Sequence, residues 1–374
     1  MSKERKTKSI SQVVGVVLLI VGLAVGIAVG YLAAPSGSTQ EPVAPVVSPQ
    51  APEGEPRMEE KTHAPIPDSA RGPAIDQSKG YLVQDLGNGL YWLTEGIYHV
   101  MFLTTGEGVI VVDAPPSIGQ NLLNGIKEVT DEPITHVIYS HTHADHIAAA
   151  SMYPADATYI AHEETAAQLE LVKANDPERK PLPWGVFVGG GPIPLPTQTF
   201  ADEMTLTVGS QTLELSYKGP AHEPGNIYIY APHQKVLMFI DVIFPGWSPF
   251  FELAIAEDVT AFIRSHDQIL EFDFETLVSG HVGRLGTRQD VEIQREYIQD
   301  IQANSITALQ TVDFGAVAQE IGFENVWLLF STYLDRVADK CTELTEEKWK
   351  DRLGGADVFT KSHCGKIIES LRVD

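Results

Sequence analysis

The chain has 374 residues, room for two or three domains, and 43% of them are hydrophobic, enough for a sizeable core. Its 50 acidic and 26 basic side chains leave a formal net charge of -24, which argues against a phosphate-binding surface and so against a nucleic-acid partner. A chain disordered throughout is excluded by the same composition.

Residues 1–12 form a basic tail in which Lys3, Arg5, Lys6 and Lys8 are opposed only by Glu4. Residues 13–34 are uncharged and almost wholly apolar, and a helix of that length spans roughly 30 Å of hydrocarbon. The reading is a single membrane span with a cytoplasmic tail and the rest of the chain extracytoplasmic. A cleaved signal peptide is the alternative, with small residues at Leu32-Ala33-Ala34, although the apolar run is longer than a signal core. Gly22, Gly26 and Gly30 share one helical face, as small residues in membrane spans often do. Residues 35–75 shift to Pro, Glu, Ala and Ser and read as an extended tether.

Strands are expected at 91–93, 100–103 and 109–112, with a turn at Gly106-Glu107-Gly108 and a helix through 122–126. Ile134 to Tyr139 reads as a buried strand, and Ile147 to Ala150 as a helix start. The Pro- and Gly-dense stretch 176–198 reads as a long loop that lines the functional pocket or makes a surface excursion. Strands follow at 205–207, 213–215, 227–229 and 236–240, then a helix around 261–263. Trp247, Phe250 and Phe251 are candidates for an apolar substrate wall or for the core. Residues 285–374 read as helical, with Tyr297, Ile298, Ile301, Trp327, Leu328, Phe330, Leu334 and Val337 as packing residues. That segment caps the preceding domain or mediates a homodimer. Cys341 and Cys364 form one disulfide or remain two buried thiols.

The run His141-Thr142-His143-Ala144-Asp145-His146 gathers three imidazoles and a carboxylate in six residues of a strand-to-helix loop. The strand period of two puts His141 and His143 on one side, while Asp145 and His146 come from the turn, so two ligand sets can face two adjacent metals. Neutral imidazoles suit zinc and similar ions, and a carboxylate adds the charge to hold a second. Later segments each bring one more candidate to a strand end or loop: His222 in Gly219 to Asn226, Asp241 after the apolar 236–240, and His281 in Ser279 to Gly283. His99 is a candidate to reach the same pocket. His136 reads as a hydrogen-bonded core histidine, and His63, His162, His233 and His266 as surface residues.

In motif order from about residue 80 to 284, with Val109 to Asp113 as the first motif, the chain resembles the metallo-β-lactamase superfamily. The resemblance implies a four-layer αββα sandwich over 76–284, flanked by the transmembrane helix and the helical extension 285–374. It implies two divalent metals, zinc by preference: one on His141, His143 and His222, the other on Asp145, His146 and His281, with Asp241 bridging. Asp113 is implied to support the histidine loop, and Asp145 and Asp241 to be catalytic. The implied reaction is hydrolysis of a small-molecule ester, lactone or amide-type carbonyl by a metal-bridging hydroxide. β-Lactamase or phosphodiesterase activity is the alternative on the same site. An iron-dependent oxygenase or redox branch and a non-catalytic metal-binding protein are the readings from other classes. Lactonases of the family carry a tyrosine where this chain has Phe244.

Overall fold

Alternating apolar residues resolve into two sheets in the computed structural model, which describes residues 63–175 and 187–371. The first sheet keeps chain order: β1 (Leu82–Gly87), β2 (Leu90–Thr94), β3 (His99–Thr104), β4 (Val109–Val112), β5 (Ile134–Ile138), β6 (Thr158–His162) and β7 (Gln198–Phe200). Strands β1 to β4 form an antiparallel meander, and β4 to β7 run parallel. The β1–β2 hairpin turns on Asn88 and Gly89, both with positive φ. A Cβ on Gly89 would lie 2.8 Å from the Gln211 side chain, so this turn admits only glycine. Parallel neighbours need crossovers. These are α1 (Gln120–Val129), the single turn α2 (Ala144–Ile147) with the short segment after it, and α3 (Glu163–Asn175) in the connection from β6.

The second sheet has the order β12-β11-β10-β9-β8, from β8 (Glu203–Val208), β9 (Gln211–Ser216), β10 (Tyr228–Ala231), β11 (Val236–Met238) and β12 (Thr276–Val278). Only β11 and β12 pair in parallel, across α4 (Val259–Leu270). Period two sorts each strand's side chains into layers. Met101, Leu103, Ile110 and Val112 meet Leu213, Leu215, Ile229 and Met238 between the sheets. Val100, Phe102, Val109 and Val111 turn the other way onto Leu122 and Ile126 of α1. Tyr228, Leu237 and Phe239 cover the opposite outer face with Phe262 and Ile269 of α4. This is the expected αββα sandwich.

Four helices follow: α5 (Arg288–Thr311), α6 (Phe314–Ile321), α7 (Val326–Trp349) and α8 (Ala356–Ser370). The first is started by a capping box of Thr287 and Asp290, with Arg284 held on Asp290. Tyr297, Ile298, Ile301 and Val337 are buried against the second sheet's helix layer. Trp327, Leu328 and Phe330 are not core residues: all are exposed, Trp327 at 84%. Helical spacing put them on one side of a helix, but among the described residues only Phe314 of α6 reaches that side, its ring 5.5 Å from that of Phe330. Cys341 of α7 and Cys364 of α8 are joined as a disulfide with Cα atoms 6.0 Å apart.

The expected tail 1–12, span 13–34 and most of the tether lie outside the described residues. Among the described residues no helix is long and apolar enough to cross a membrane. The last residues assigned to the tether are packed rather than free. Ala70 is buried, its carbonyl accepts from Trp247 Nε1 at 2.9 Å, and the Ser69 carbonyl accepts from Arg284 at 2.6 Å. Composition reports the missing core of such a segment, not the backbone carbonyls it offers to donors elsewhere.

Two histidines expected on the surface are buried. His162 bonds the Ala201 carbonyl at 2.6 Å, and His266 bonds the Phe262 carbonyl at 3.0 Å and the Gln294 side chain at 2.9 Å. His136 is half-buried beside Thr135, with 3.0 Å between Nδ1 and Oγ1. Part of the 176–198 stretch is outside the described residues; the described part lines a different hollow from the one holding the metal-ligand candidates.

Candidate metal centre

The histidine loop leaves β5 under the control of Asp113 at the end of β4. The Asp113 amide donates to the Ile138 carbonyl at 2.9 Å, and its carboxylate accepts from the Ser140 amide at 2.8 Å. Ser140 Oγ lies 2.8 Å from His141 Nδ1, which leaves Nε2 to face inward. The helix after the motif starts at Ala144, not at Ile147: His143 is its N-cap, and Asp145 and His146 are in its one turn. An extended residue passing straight into a helical turn divides the four ligands between two directions.

His222 and Glu223 lie on the β9–β10 loop, which is tied back by Ile227 N to the Ser140 carbonyl at 3.0 Å and by Asn226 to the Ile240 carbonyl at 2.9 Å. Asp241 follows β11 with φ of 61°, and His281 follows β12. Gly280 is required between them, because a Cβ there would stand 2.8 Å from Ile240 and 3.3 Å from Asp241 Oδ1.

All seven expected ligands come together in two clusters, His141, His143, His222 and Asp241 beside Asp145, His146 and His281. Asp241 Oδ2 is 3.5 Å from His141 Nε2, 3.5 Å from His222 Nε2 and 3.2 Å from His146 Nε2, while Oδ1 is 3.1 Å from His281 Nε2. One carboxylate thus touches both clusters. His222 Nε2 and His143 Nδ1 are 2.9 Å apart, and His146 Nε2 and His281 Nε2 are 3.0 Å apart. Tetrahedral zinc with bonds near 2.0–2.1 Å holds its nitrogen ligands about 3.3 Å from one another. His141 Nε2 and Asp241 Oδ1 are buried without a hydrogen bond, a costly state unless a cation faces them. The residues fit a pair of divalent ions.

The electrostatics agree. Burial depresses His222 to about 3 and keeps it neutral. Burial also works to lower His146, yet the Asp241 and Asp145 carboxylates outweigh it and hold it up to about 10. Burial would raise Asp241, but His146 and His281 hold it well below the carboxylate range. The centre therefore demands positive charge in a buried place, which ions supply.

Two residues were not singled out by the sequence reading. Glu223 is 3.1 Å from His143 Nε2 and accepts from the Thr142 amide at 2.6 Å and hydroxyl at 2.7 Å. It fixes the tautomer in which Nδ1 faces the metal position. Tyr98 donates from Oη to Asp145 Oδ2 at 3.1 Å and lays its ring 4.5 Å from that of His281. The expectation for His99 was one residue out of register. Neighbours on a strand face opposite ways, and His99 is buried with its ring edge-on to Trp92 at 5.1 Å.

The centre floors a cavity of about 900 Å³. Its walls are Ile97, Tyr98, Phe244, Trp247, Phe250, Ala254, Ile255 and Val282, with Gly354, Gly355, Val358 and Phe359 from the C-terminal extension. Phe251 is not among them and packs on Phe359 instead, 6.5 Å between ring centroids. The extension thus caps the site. Ala254 and Ile255 belong to a turn, Phe251–Ile255, whose last four residues wind left-handed with φ of 50–60°. Among the described lining residues none is Lys or Arg.

A family model described as the metallo-beta-lactamase superfamily matches residues 93–281. The alpha subunit of 2,4-dinitroanisole O-demethylase from Nocardioides sp. (strain JS1661) is 23% identical over 220 residues, 58% of this chain and 62% of that protein. Linear primary-alkylsulfatase from Pseudomonas sp. (strain ATCC 19151) is 24% identical over 220 residues, 50% of this chain and 42% of that protein. The chain thus spans less than two thirds of either relative. The stereoselective inverting sec-alkylsulfatase Pisa1 from Pseudomonas sp. superposes with a TM-score of 0.53 at 14% identity, over 78% of this chain and 50% of its own. That likeness concerns the fold.

Proposed function

The chain belongs to the metallo-beta-lactamase superfamily, and from that premise we propose a membrane-anchored, extracytoplasmic, binuclear metal-dependent hydrolase of an uncharged apolar substrate with an ester, lactone or amide-type carbonyl. One observation carries the reading: a seven-ligand centre floors a cavity whose other described walls are mostly apolar, with Tyr98, Thr142 and Ser248 the polar exceptions, and lack Lys and Arg. Outside the metal centre itself, a phosphodiester, a sulfate ester or a carboxylate-bearing β-lactam would find no Lys or Arg among the described wall residues. Two divalent ions, zinc suiting so imidazole-rich a set, would supply Lewis acidity and an activated water when bound.

The chain's own residues do the rest. Asp241 faces both clusters with one carboxylate, and Glu223 and Ser140 hold the rings of His143 and His141 to them. Asp145, steadied by Tyr98, faces the cavity where a carboxylate can accept and return a proton. Phe244, Trp247 and Phe250 exclude water from an apolar substrate body. Anchoring is supported by the uncharged run 13–34 behind a basic tail.

A second reading, cleavage of a neutral aryl ether, is favoured by the relative named for O-demethylation of 2,4-dinitroanisole. The test is metal analysis of the purified chain beside a panel of apolar esters, lactones, amides, aryl ethers, alkyl sulfates, phosphodiesters and β-lactams. Two metals per chain with turnover confined to uncharged substrates is expected. One metal or none in folded, metal-supplemented protein, or turnover confined to anionic substrates, overturns it.

A further inference from the structure

Four of the side chains walling the cavity are large, apolar and open to solvent: Ile97 at 57%, Phe250 at 54%, Val358 at 48% and Ile255 at 46% exposure. They come from the loop before β3, from the left-handed turn and its approach, and from the first turn of α8. The fold assembles this ring from three separate stretches. Single exposed apolar residues are ordinary, whereas a ring of them around one opening marks a surface that meets something apolar.

The path of the chain indicates what it meets. His63 Nδ1 is 3.1 Å from Asp357 Oδ2, and the Ala64 amide donates to the same oxygen at 2.8 Å. Asp357 immediately precedes Val358, so the segment leading back to the apolar run 13–34 joins the domain at the rim of the cavity. The 28 residues from 35 to 62 reach at most roughly 100 Å when fully extended. A connection joined at the rim lets that face, within this reach, meet whatever holds residues 13–34. The rim segments carry the carboxylates Glu95, Glu252 and Asp357, of which Glu252 is paired with Lys366 at 3.9 Å and Asp357 with His63. With no Lys or Arg lining the cavity among the described residues, the rim suits an electrically neutral lipid surface.

We infer that the mouth of the cavity seats on a bilayer surface, with Ile97, Phe250, Ile255 and Val358 in its interfacial layer, so that an apolar substrate enters from lipid. This deepens the proposed function and rests on its membrane anchor. The other exposed apolar patch, around Trp327 at the start of α7, has nothing in the structure to say what covers it, and it serves as a control.

The test uses the full chain in phosphatidylcholine vesicles, with one cysteine introduced and carrying an environment-sensitive fluorophore. The two native cysteines are paired and buried, so the introduced thiol is the reactive one. Phe250→Cys and Val358→Cys probe the rim on separate segments. His233→Cys probes the β10–β11 turn, at the opposite end of the second sheet from Asp241, and Trp327→Cys the other patch. Nitroxide lipids should quench both rim labels several-fold more than the labels at 233 and 327. Equal or absent quenching in a chain that floats with vesicles overturns the seating while the anchor stands. A chain that does not float overturns both. Rim labels shielded from iodide but not quenched by lipid, in a chain that migrates as a dimer in mild detergent, make the ring a subunit interface and overturn it as well.

Discussion

Asp241 holds φ of 61°, and Asp113 and Val282 hold 65° and 49°. Each costs on the order of 1–2 kcal/mol in this left-handed region: Asp241 is itself a metal-ligand candidate, Val282 follows the candidate His281, and Asp113 holds the Ser140 amide before His141. At Asp113 and Asp241 the strain aims a carboxylate, and the buried imidazoles around Asp241 maintain it there. Asp241→Ala removes the anion shared by both clusters and also the reason for that conformation. Metal retention and turnover should therefore fall at least 100-fold, by the upper range for ligand-sphere changes, while the thermal midpoint in chelator moves little. Metal analysis and melting curves decide it, and equal activity at equal metal content would contradict the bridge. Tyr98→Phe makes a different cut. It removes only the hydroxyl on Asp145, so kcat should drop about 10-fold or more with metal content unchanged, whereas Glu223→Gln should release metal first, because it frees the His143 ring. Steady-state kinetics beside metal content separates the two, and a Tyr98→Phe enzyme that loses metal but keeps kcat refutes the positioning role. The ligands were legible in the sequence because six residues carry four of them at spacings with little other use. Tyr98 and Glu223 were not, since an outer partner has no fixed spacing from what it holds.

Elements show the same division between what pattern reports and what packing adds. Alternation located the strands, and helical spacing the C-terminal helices, but spacing names a shared face without naming its cover, which is why Trp327 and Phe330 are exposed where burial was expected. The left-handed turn at Phe251–Ile255 had no signal at all, being built from ordinary residues. What fastens the helices to the site is polar and testable. His363 of α8 donates to the Phe250 carbonyl at 3.0 Å and meets Tyr297 Oη at 2.8 Å; His266 of α4 meets Gln294 of α5, which also binds the Phe244 amide at 2.9 Å. Burial depresses both histidines to about 4 from 6.5. Between those values the unfolded chain takes up a proton that the fold refuses, so stability is full above about pH 6.5 and falls as the pH drops toward 4, by up to on the order of 3 kcal/mol for each histidine. Urea denaturation in chelator at several pH values should show that slope, and His266→Gln should flatten about half of the two-histidine part. An unchanged slope would mean His266 is not held neutral. The Cys341–Cys364 bond closes a sequence separation of 23, worth about 3 kcal/mol by loop entropy. Replacing both with Ala should lower stability by that order and raise KM for bulky apolar substrates, because α8 carries Val358 and Phe359 into the wall. Calorimetry and kinetics on the double variant check both effects.

At the scale of the whole molecule, the site is closed by parts far apart in the chain: residues 63–72 beneath Trp247, the two sheets with their ligand loops, and the helices after Arg284. The two-sheet sandwich was legible through its motif order and the cap by 285–374 was one of two roles open to that segment, whereas the closure by residues 63–72 was not legible, since that stretch carries no site motif. The docked stretch sets where the chain can be cut. A chain starting at Ala74 discards the Ala70 carbonyl that receives Trp247 Nε1 and the Ser69 carbonyl that receives Arg284, each worth about 0.5–1.5 kcal/mol, while a cut before His63 leaves every described contact in place. Residues 35–62 are poor in the apolar side chains that bury a segment, and if 13–34 spans a bilayer with the basic tail inside, they lie on the outer face. Protease added to sealed cells should then cut within 35–62 and release an active, soluble domain with two metals, and the fragment beginning at Ala74 should melt lower than one beginning near His63. Release only after the membrane is broken would place the domain on the cytoplasmic side, and a domain that never sediments with membranes would show that residues 13–34 are not retained as an anchor.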